Sequence, residues 1–305
     1  MTAQANGAAS ASYYGRPVVK PHVWTPMIPW YFWIGGMAGA ASVQCVAARV
    51  RGEHDLAVVY KRAALAGAMT APVLLIADLG VPARFMNMLR VFKPTSPMSV
   101  GSWILSAFGA AVTASTLAEL LGWERTSRAL EVVTASFGPG LTVYTAVLIA
   151  DTATPVWHEA YDTLPFLFAA SGVGGAGAIG SAFAPADQTA FARRLMIAGA
   201  FGVPIVGHLM EKRLGRFMAE PYRTGKAGSF RRVAEFLSLA GGAIGLLGGK
   251  NRTALRGAAV CVAASGVFER FAVSAAGTQS AKDPKYVVQP QRERVDEREP
   301  ASVDT

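Results

Sequence analysis

Apolar and polar residues in this chain alternate in long blocks, not at the short periods of a soluble fold. Eight apolar blocks are each long enough to cross about 30 Å of hydrocarbon. They cover residues 29–48, 63–81, 99–122, 131–150, 164–184, 194–211, 233–249 and 254–274. Charged, glycine- and proline-punctuated segments separate them. The seventh, V-A-E-F-L-S-L-A-G-G-A-I-G-L-L-G-G, is the shortest and richest in glycine. Backbone polar groups in lipid must be satisfied within the segment, so blocks of this length predict helices. The pattern predicts an all-α fold, a polytopic transmembrane bundle of about eight helices in two packed four-helix bundles. An even count puts both termini on one side, here called side A. Residues 1–26 read as a polar N-terminal tail, 27–276 as the integral membrane domain and 277–305 as an extended C-terminal tail.

Small residues are dense in the first, fifth and seventh blocks, as in G-G-M-A-G-A-A-S and S-G-V-G-G-A-G-A-I-G-S. Small residues four apart let helix backbones approach closely in lipid. None of these glycine runs follows a strand, which excludes a dinucleotide-binding loop.

Composition agrees with the block pattern. The chain is 52% hydrophobic and only 16% charged, where soluble domains carry about a quarter charged residues. A net charge of +9 would suggest nucleic acid in a soluble protein; in a membrane protein it reads as basic loops facing anionic lipid. Side A carries the larger share of Lys and Arg, so the positive-inside rule puts the termini in the cytoplasm of a cell whose plasma membrane holds the bundle. The first residues lack the basic start and apolar core of a signal peptide. Cys45 and Cys261 are isolated within apolar blocks. That excludes an iron–sulfur cluster or a cysteine-rich metal site held by this chain alone. A dihaem cytochrome needs intramembrane histidine pairs, and only His208 of the four histidines lies well inside a span.

The candidate chemistry falls at the side-A ends. The first helix opens I-P-W-Y-F-W, with Trp30 and Tyr31. The second climbs to Asp78, where Gly80 and Pro82 break it before a basic connector with Arg84 and Arg90. The fourth ends in V-Y-T-A-V-L-I-A-D-T-A-T-P-V-W-H-E, which supplies Tyr144, Asp151, His158 and Glu159. The sixth ends G-H-L-M-E-K-R, with His208 and Glu211. An ionisable group at the lip of the hydrocarbon is costly to keep and is a functional candidate by default. Carboxylate, phenol, imidazole and guanidinium groups at one interface suit a lipid-soluble substrate that exchanges protons.

At these residues the chain resembles the NrfD/polysulfide-reductase family of membrane subunits. The resemblance rests on Y-Y-G-R-P-V-V-K-P at 13–21, I-P-W-Y-F-W-I-G-G-M-A-G at 28–39, D-L-G-V-P-A-R-F-M-N-M-L-R-V-F-K-P-T-S-P-M-S at 78–99 and A-D-T-A-T-P-V-W-H-E at 150–159. It implies a haem-free, metal-free anchor that exchanges electrons between the menaquinone/menaquinol pool and a ferredoxin-like iron–sulfur subunit. That subunit connects to a molybdopterin oxidoreductase or a multihaem reductase. It implies quinone-binding roles for Trp30, Tyr31, Asp78, Arg84 and Tyr144. Asp78, Asp151 and His158 are then the catalytic candidates, and with His208 and Glu211 they form a candidate proton route. The alternatives are a secondary transporter, which would carry its site at the midplane, and a structural anchor without bound quinone.

Overall fold

The computed structural model describes residues 18–249 and 251–298, and among these it is helical with no strand. Twelve α-helices follow one another: α1 (Met27–Val50), α2 (His54–Asp78), α3 (Arg84–Met88), α4 (Pro97–Leu120), α5 (Glu124–Ala150), α6 (Pro155–Glu159), α7 (Leu164–Phe183), α8 (Thr189–Met218), α9 (Glu220–Arg223), α10 (Gly225–Leu247), α11 (Arg252–Lys282) and α12 (Lys285–Arg298). Eight of them are long and correspond to the eight apolar blocks. Six of the eight are long and apolar enough to cross a membrane: α2, α4, α5, α7, α8 and α11. The expected count of eight crossings is thus six by this measure. The difference has a local cause in α10, whose first turns carry Lys226, Arg231, Arg232 and Glu235. In α1, tryptophan, tyrosine and glycine take the places of aliphatic residues.

The long helices pack as two halves. Helices α1, α2, α4 and α5 form one, α7, α8, α10 and α11 the other, and α1 against α7 joins them. Small residues set the distances. A side chain at Gly138 of α5 would meet the Gly39 carbonyl and the Ser42 hydroxyl of α1, and one at Gly174 of α7 would reach the backbone of Gly199 on α8 at 3.1 Å. Lipid offers helices no hydrophobic reason to associate, so this close van der Waals approach supplies much of the attraction. Pro72, Pro139 and Pro204 sit inside α2, α5 and α8. Gly215, at φ 70°, breaks α8 near its end.

The segment that leads into α1 and the end of α11 meet on side A: the His22 ring is 2.9 Å from the Thr278 hydroxyl. The opposite end, side B, gathers the turns between α1 and α2, α4 and α5, α7 and α8, and α10 and α11. Two arginines seal it, Arg193 on the Gly249 carbonyl and Arg252 on the Ala184 carbonyl. One expectation needs correcting. Residues 277–282 and 285–298 are helical, not extended: α11 runs to Lys282 and α12 follows. Their polarity marks helix that emerges from the bundle, which an apolar-block pattern cannot separate from coil. Residues 1–17 of the expected N-terminal tail lie outside the described residues.

Candidate functional site

Asp78 is the last residue of α2, and Gly80 (φ 67°) turns the chain away beyond it. Its Oδ1 accepts the Thr25 backbone N–H at 2.8 Å and the Thr25 hydroxyl at 2.7 Å. The Thr25 hydroxyl in turn accepts the Met27 N–H at 3.3 Å. The acid therefore fixes the segment that leads into α1, across 53 residues of sequence. Arg84 is exposed at the start of α3 and makes no ion pair with Asp78. A salt bridge that pins the hairpin is thus not what holds this acid.

The lead-in segment lies on an aromatic stack. Trp24 is parallel to Trp157 of α6 with centroids 5.4 Å apart, and the His22 ring lies 4.4 Å from Trp24 and 4.7 Å from Trp157. Trp157 is buried and donates its indole N–H to the Val273 carbonyl of α11 at 2.8 Å. Its ring occupies the place a side chain at Gly277 would take, so α11 can approach only because that position is glycine. Burial first, and the nearby Lys282 ammonium second, push the His22 imidazole down to about 4. His22 is therefore neutral at ordinary pH.

A cavity of about 840 Å³ opens beside this stack, between the lead-in segment, α10 and α11. Pro29, Phe230 and Phe271 give it apolar walls; Thr278, Gln279 and Lys282 supply donors. Two expected quinone residues touch its wall from behind. Trp30 meets Phe271 edge-on at 6.2 Å, and Asp78 holds Thr25. Tyr31 and Tyr144 are buried elsewhere at this end: Tyr31 beside Phe32, and Tyr144 of α5 against Gly101 of α4.

The residues of the expected proton route stand on separate elements. Asp151 and His158 are exposed neighbours at the end of α5, where His158 Nδ1 lies 3.2 Å from the Ala150 carbonyl. His208 is exposed on α8. Glu211 is buried, with one oxygen 2.9 Å from Arg223 and the other paired with Arg231. These pairs tie α8 to α9 and α10. No hydrogen bond among the described residues joins His208 or Glu211 to Asp151 or His158.

The family model described as "Polysulphide reductase, NrfD" matches residues 18–187. The chain belongs to the NrfD family. No curated protein matches it. With its apolar helices, this NrfD chain is a multi-pass membrane protein. The match contains Trp30, Tyr31, Asp78, Arg84, Tyr144, Asp151 and His158, and stops before α8.

Beyond the match, this NrfD chain carries charges that the block pattern conceals. Arg270, in F-E-R-F of α11, is 0% exposed. Its guanidinium carbon lies 3.5 Å from the Phe168 ring centroid, Nη2 donates to the Phe168 carbonyl at 3.2 Å, and Nη1 pairs with Glu269. Two adjacent charges inside an apolar block were the available signal. The second concealed group, around Lys61, lies inside the matched region at side B.

Proposed function

We propose that this chain is the membrane subunit that passes electrons between quinone or quinol in the bilayer and an iron–sulfur subunit docked on side A. Through that subunit it serves a molybdopterin oxidoreductase or a multihaem reductase. In this reading side A faces the cytoplasm of the plasma membrane, as the Lys and Arg bias favours. The observation that carries it is the side-A end of an NrfD-family bundle: a cavity with apolar rings on one wall and hydroxyl, amide and ammonium donors on the other. A quinone headgroup fits such a lining, because its flat ring needs apolar contact and its carbonyl oxygens need donors. A quinone supplies coupled gain or loss of electrons and protons.

The chain's own residues then divide the work. Phe271 and Pro29 bound the ring slot, and Trp30 backs Phe271. Thr278, Gln279 and Lys282 offer donors at the cavity, while Tyr31 and Tyr144 supply phenols deeper in the same end. Asp78 carries a proton at Oδ2, the oxygen that Thr25 leaves free. Asp151 and His158 exchange protons with water at the surface of side A. The iron–sulfur clusters that take the electrons belong to the partner.

Asp78→Asn tests this. The amide oxygen keeps the Thr25 hydrogen bonds, so assembly with the partner is retained. Quinone-linked turnover should fall by about 100-fold and lose its acid-side pH dependence. Wild-type turnover at every pH would remove Asp78 from the reaction. Phe271→Trp, which pushes a larger ring into the slot beside Pro29, should reduce quinone retention in solvent extracts of the purified protein; unchanged retention would move the headgroup to Tyr31 and Tyr144.

A further inference from the structure

At side B, away from the cavity, a cluster of opposite charges closes the first half of the bundle. Lys61 lies seven residues into α2, about 10 Å along the helix at 1.5 Å per residue, and is 4% exposed. Its ammonium is 2.6 Å from Glu119 of α4 and 3.3 Å from Glu131 of α5. It also lies 2.7 Å from the Ser127 hydroxyl and 3.2 Å from the Ser115 carbonyl. Glu131, equally buried, is held by a two-point pair from Arg49 of α1, at 3.1 and 3.0 Å. Cys45 of α1 borders the cluster on its inner side, and His54, Glu124 and Arg128 are the other titratable and charged groups beside it, on the outer side. Helix α7, which also packs on α2, carries none.

Three features set this cluster apart from a static ion pair. First, an ammonium has three protons, and four acceptors surround this one, so it can turn between partners. Second, water reaches one side of it. Glu119 is 41% exposed and lines a cleft of about 260 Å³ with Arg49, His54, Glu124 and Arg128. On the inner side, Ser42, Cys45 and Thr134 join Lys61 and Glu131 around a cavity of about 10 Å³, enough for about one water. Third, the charges balance. Arg49 offsets Glu131, so transfer of a proton from Lys61 to Glu119 leaves the cluster neutral, and no unpaired buried charge arises.

We propose that Lys61 and Glu119 form a proton-exchange site open to side-B water, with Arg49–Glu131 as its fixed counter-pair. In the outward step a Lys61 N–H bond breaks and a Glu119 O–H bond forms. The acid then releases that proton to water in the cleft, and in the return step water in the same cleft reprotonates Glu119, which passes the proton back to the Lys61 amine. The exchange itself needs no quinone. Its coupling to turnover rests on the electron-transfer reading above.

Lys61→Arg separates this from a structural ion pair. Arginine keeps the charge and the partners but does not give up its proton. The first measurement uses the full chain in lipid nanodiscs and infrared difference spectra on a pH step across neutrality. Wild type should show a carboxyl C=O band that is absent in Glu119→Gln and lost in Lys61→Arg. An equal band in Lys61→Arg overturns the proposal. Where Lys61→Arg does not fold, Ser127→Ala removes one hydrogen bond from Lys61 and no charge. It must shift the midpoint of the band, and an unmoved midpoint overturns the proposal.

The second measurement uses the chain with its partner subunits in proteoliposomes, with a pH-sensitive dye on side B and electron flow recorded together. Lys61→Arg should lose most of the side-B proton signal while electrons still flow; a wild-type proton signal in Lys61→Arg overturns the proposal. A wild-type complex without quinone-linked electron flow, alongside an infrared band that Lys61→Arg abolishes, would sink the electron-transfer reading and leave the exchange site standing.

Discussion

Within the first half of the bundle, the two ends hold their charges in opposite ways. At side A the acids Asp78 and Asp151 are half-buried or exposed. Asp78 has neutral hydrogen-bond donors for partners, and the segment it holds lies on aromatic rings, Trp24 against Trp157 and Phe32. At side B, Lys61 and Glu131 are each 4% exposed, and every charge in the cluster faces an opposite one. A charge without an ionic partner survives only where water or a ligand can reach it. A charge with good partners can be drawn about 10 Å into the helix layer. The first arrangement suits a site that receives something from outside. The second suits one that holds and passes something small.

The sharpest way to break the comparison is to remove the buried cation. Lys61→Met leaves Glu119 and Glu131 with Arg49 alone and should cost about 3–5 kcal/mol, read as a lower unfolding midpoint of the purified chain in detergent. The exposed Glu124–Arg128 pair on α5 is the control. Arg128→Ala there should cost at most about 0.5 kcal/mol. Equal losses for the two variants would make side B no different from a surface.

At side A the corresponding weak point is steric. Gly277→Val puts a side chain where the Trp157 ring lies. Forced overpacking of this kind costs about 1–3 kcal/mol. The expected readout is a changed tryptophan emission together with a loosened lead-in segment that limited proteolysis detects. Unchanged emission would mean that the stack does not depend on close approach of α11.

The smallest effect follows from His22. Its unfolded value is 6.5 and its folded value about 4. Between them the unfolded segment binds the extra proton, so docking of the segment weakens as pH falls from 6.5 towards 4, and is independent of pH above 6.5. Partial exposure screens the effect. Tryptophan emission from the Trp24–Trp157 pair, followed against pH, should show this slope in wild type and a flat line in His22→Phe.

Much of the fold was legible as block length. Every long helix coincides, to within a few residues at its end, with most of one apolar block, because hydrocarbon thickness sets a minimum length that composition reveals. Less legible was which helices are apolar enough to cross. α1 and α10 spend their positions on tryptophan, glycine and paired charge, and their places come from packing on α7, α8 and α11. The tail over 277–298 reads as coil by polarity and is largely helix, with α12 tied through Lys285 and Tyr286 to Glu220. At the site, Asp78 was legible as an acid at a helix end. Its partner was not, because Thr25 lies 53 residues away and polar threonines carry no signal in a lead-in segment.

The sequence by itself determined the class of this protein, its helical blocks and the acids at the helix ends. Those properties follow from local composition, which the bilayer tests segment by segment. Only the tertiary structure decided which charges are partners. Lys61, Glu119, Glu131 and Arg49 stand on four helices, and in sequence each looks like a basic or acidic residue near a loop. Their pairing depends on small residues such as Gly39 and Gly138, which let α1 and α5 close to backbone contact. Coulomb energy falls with distance and rises as water leaves, and both quantities exist only after the helices have packed.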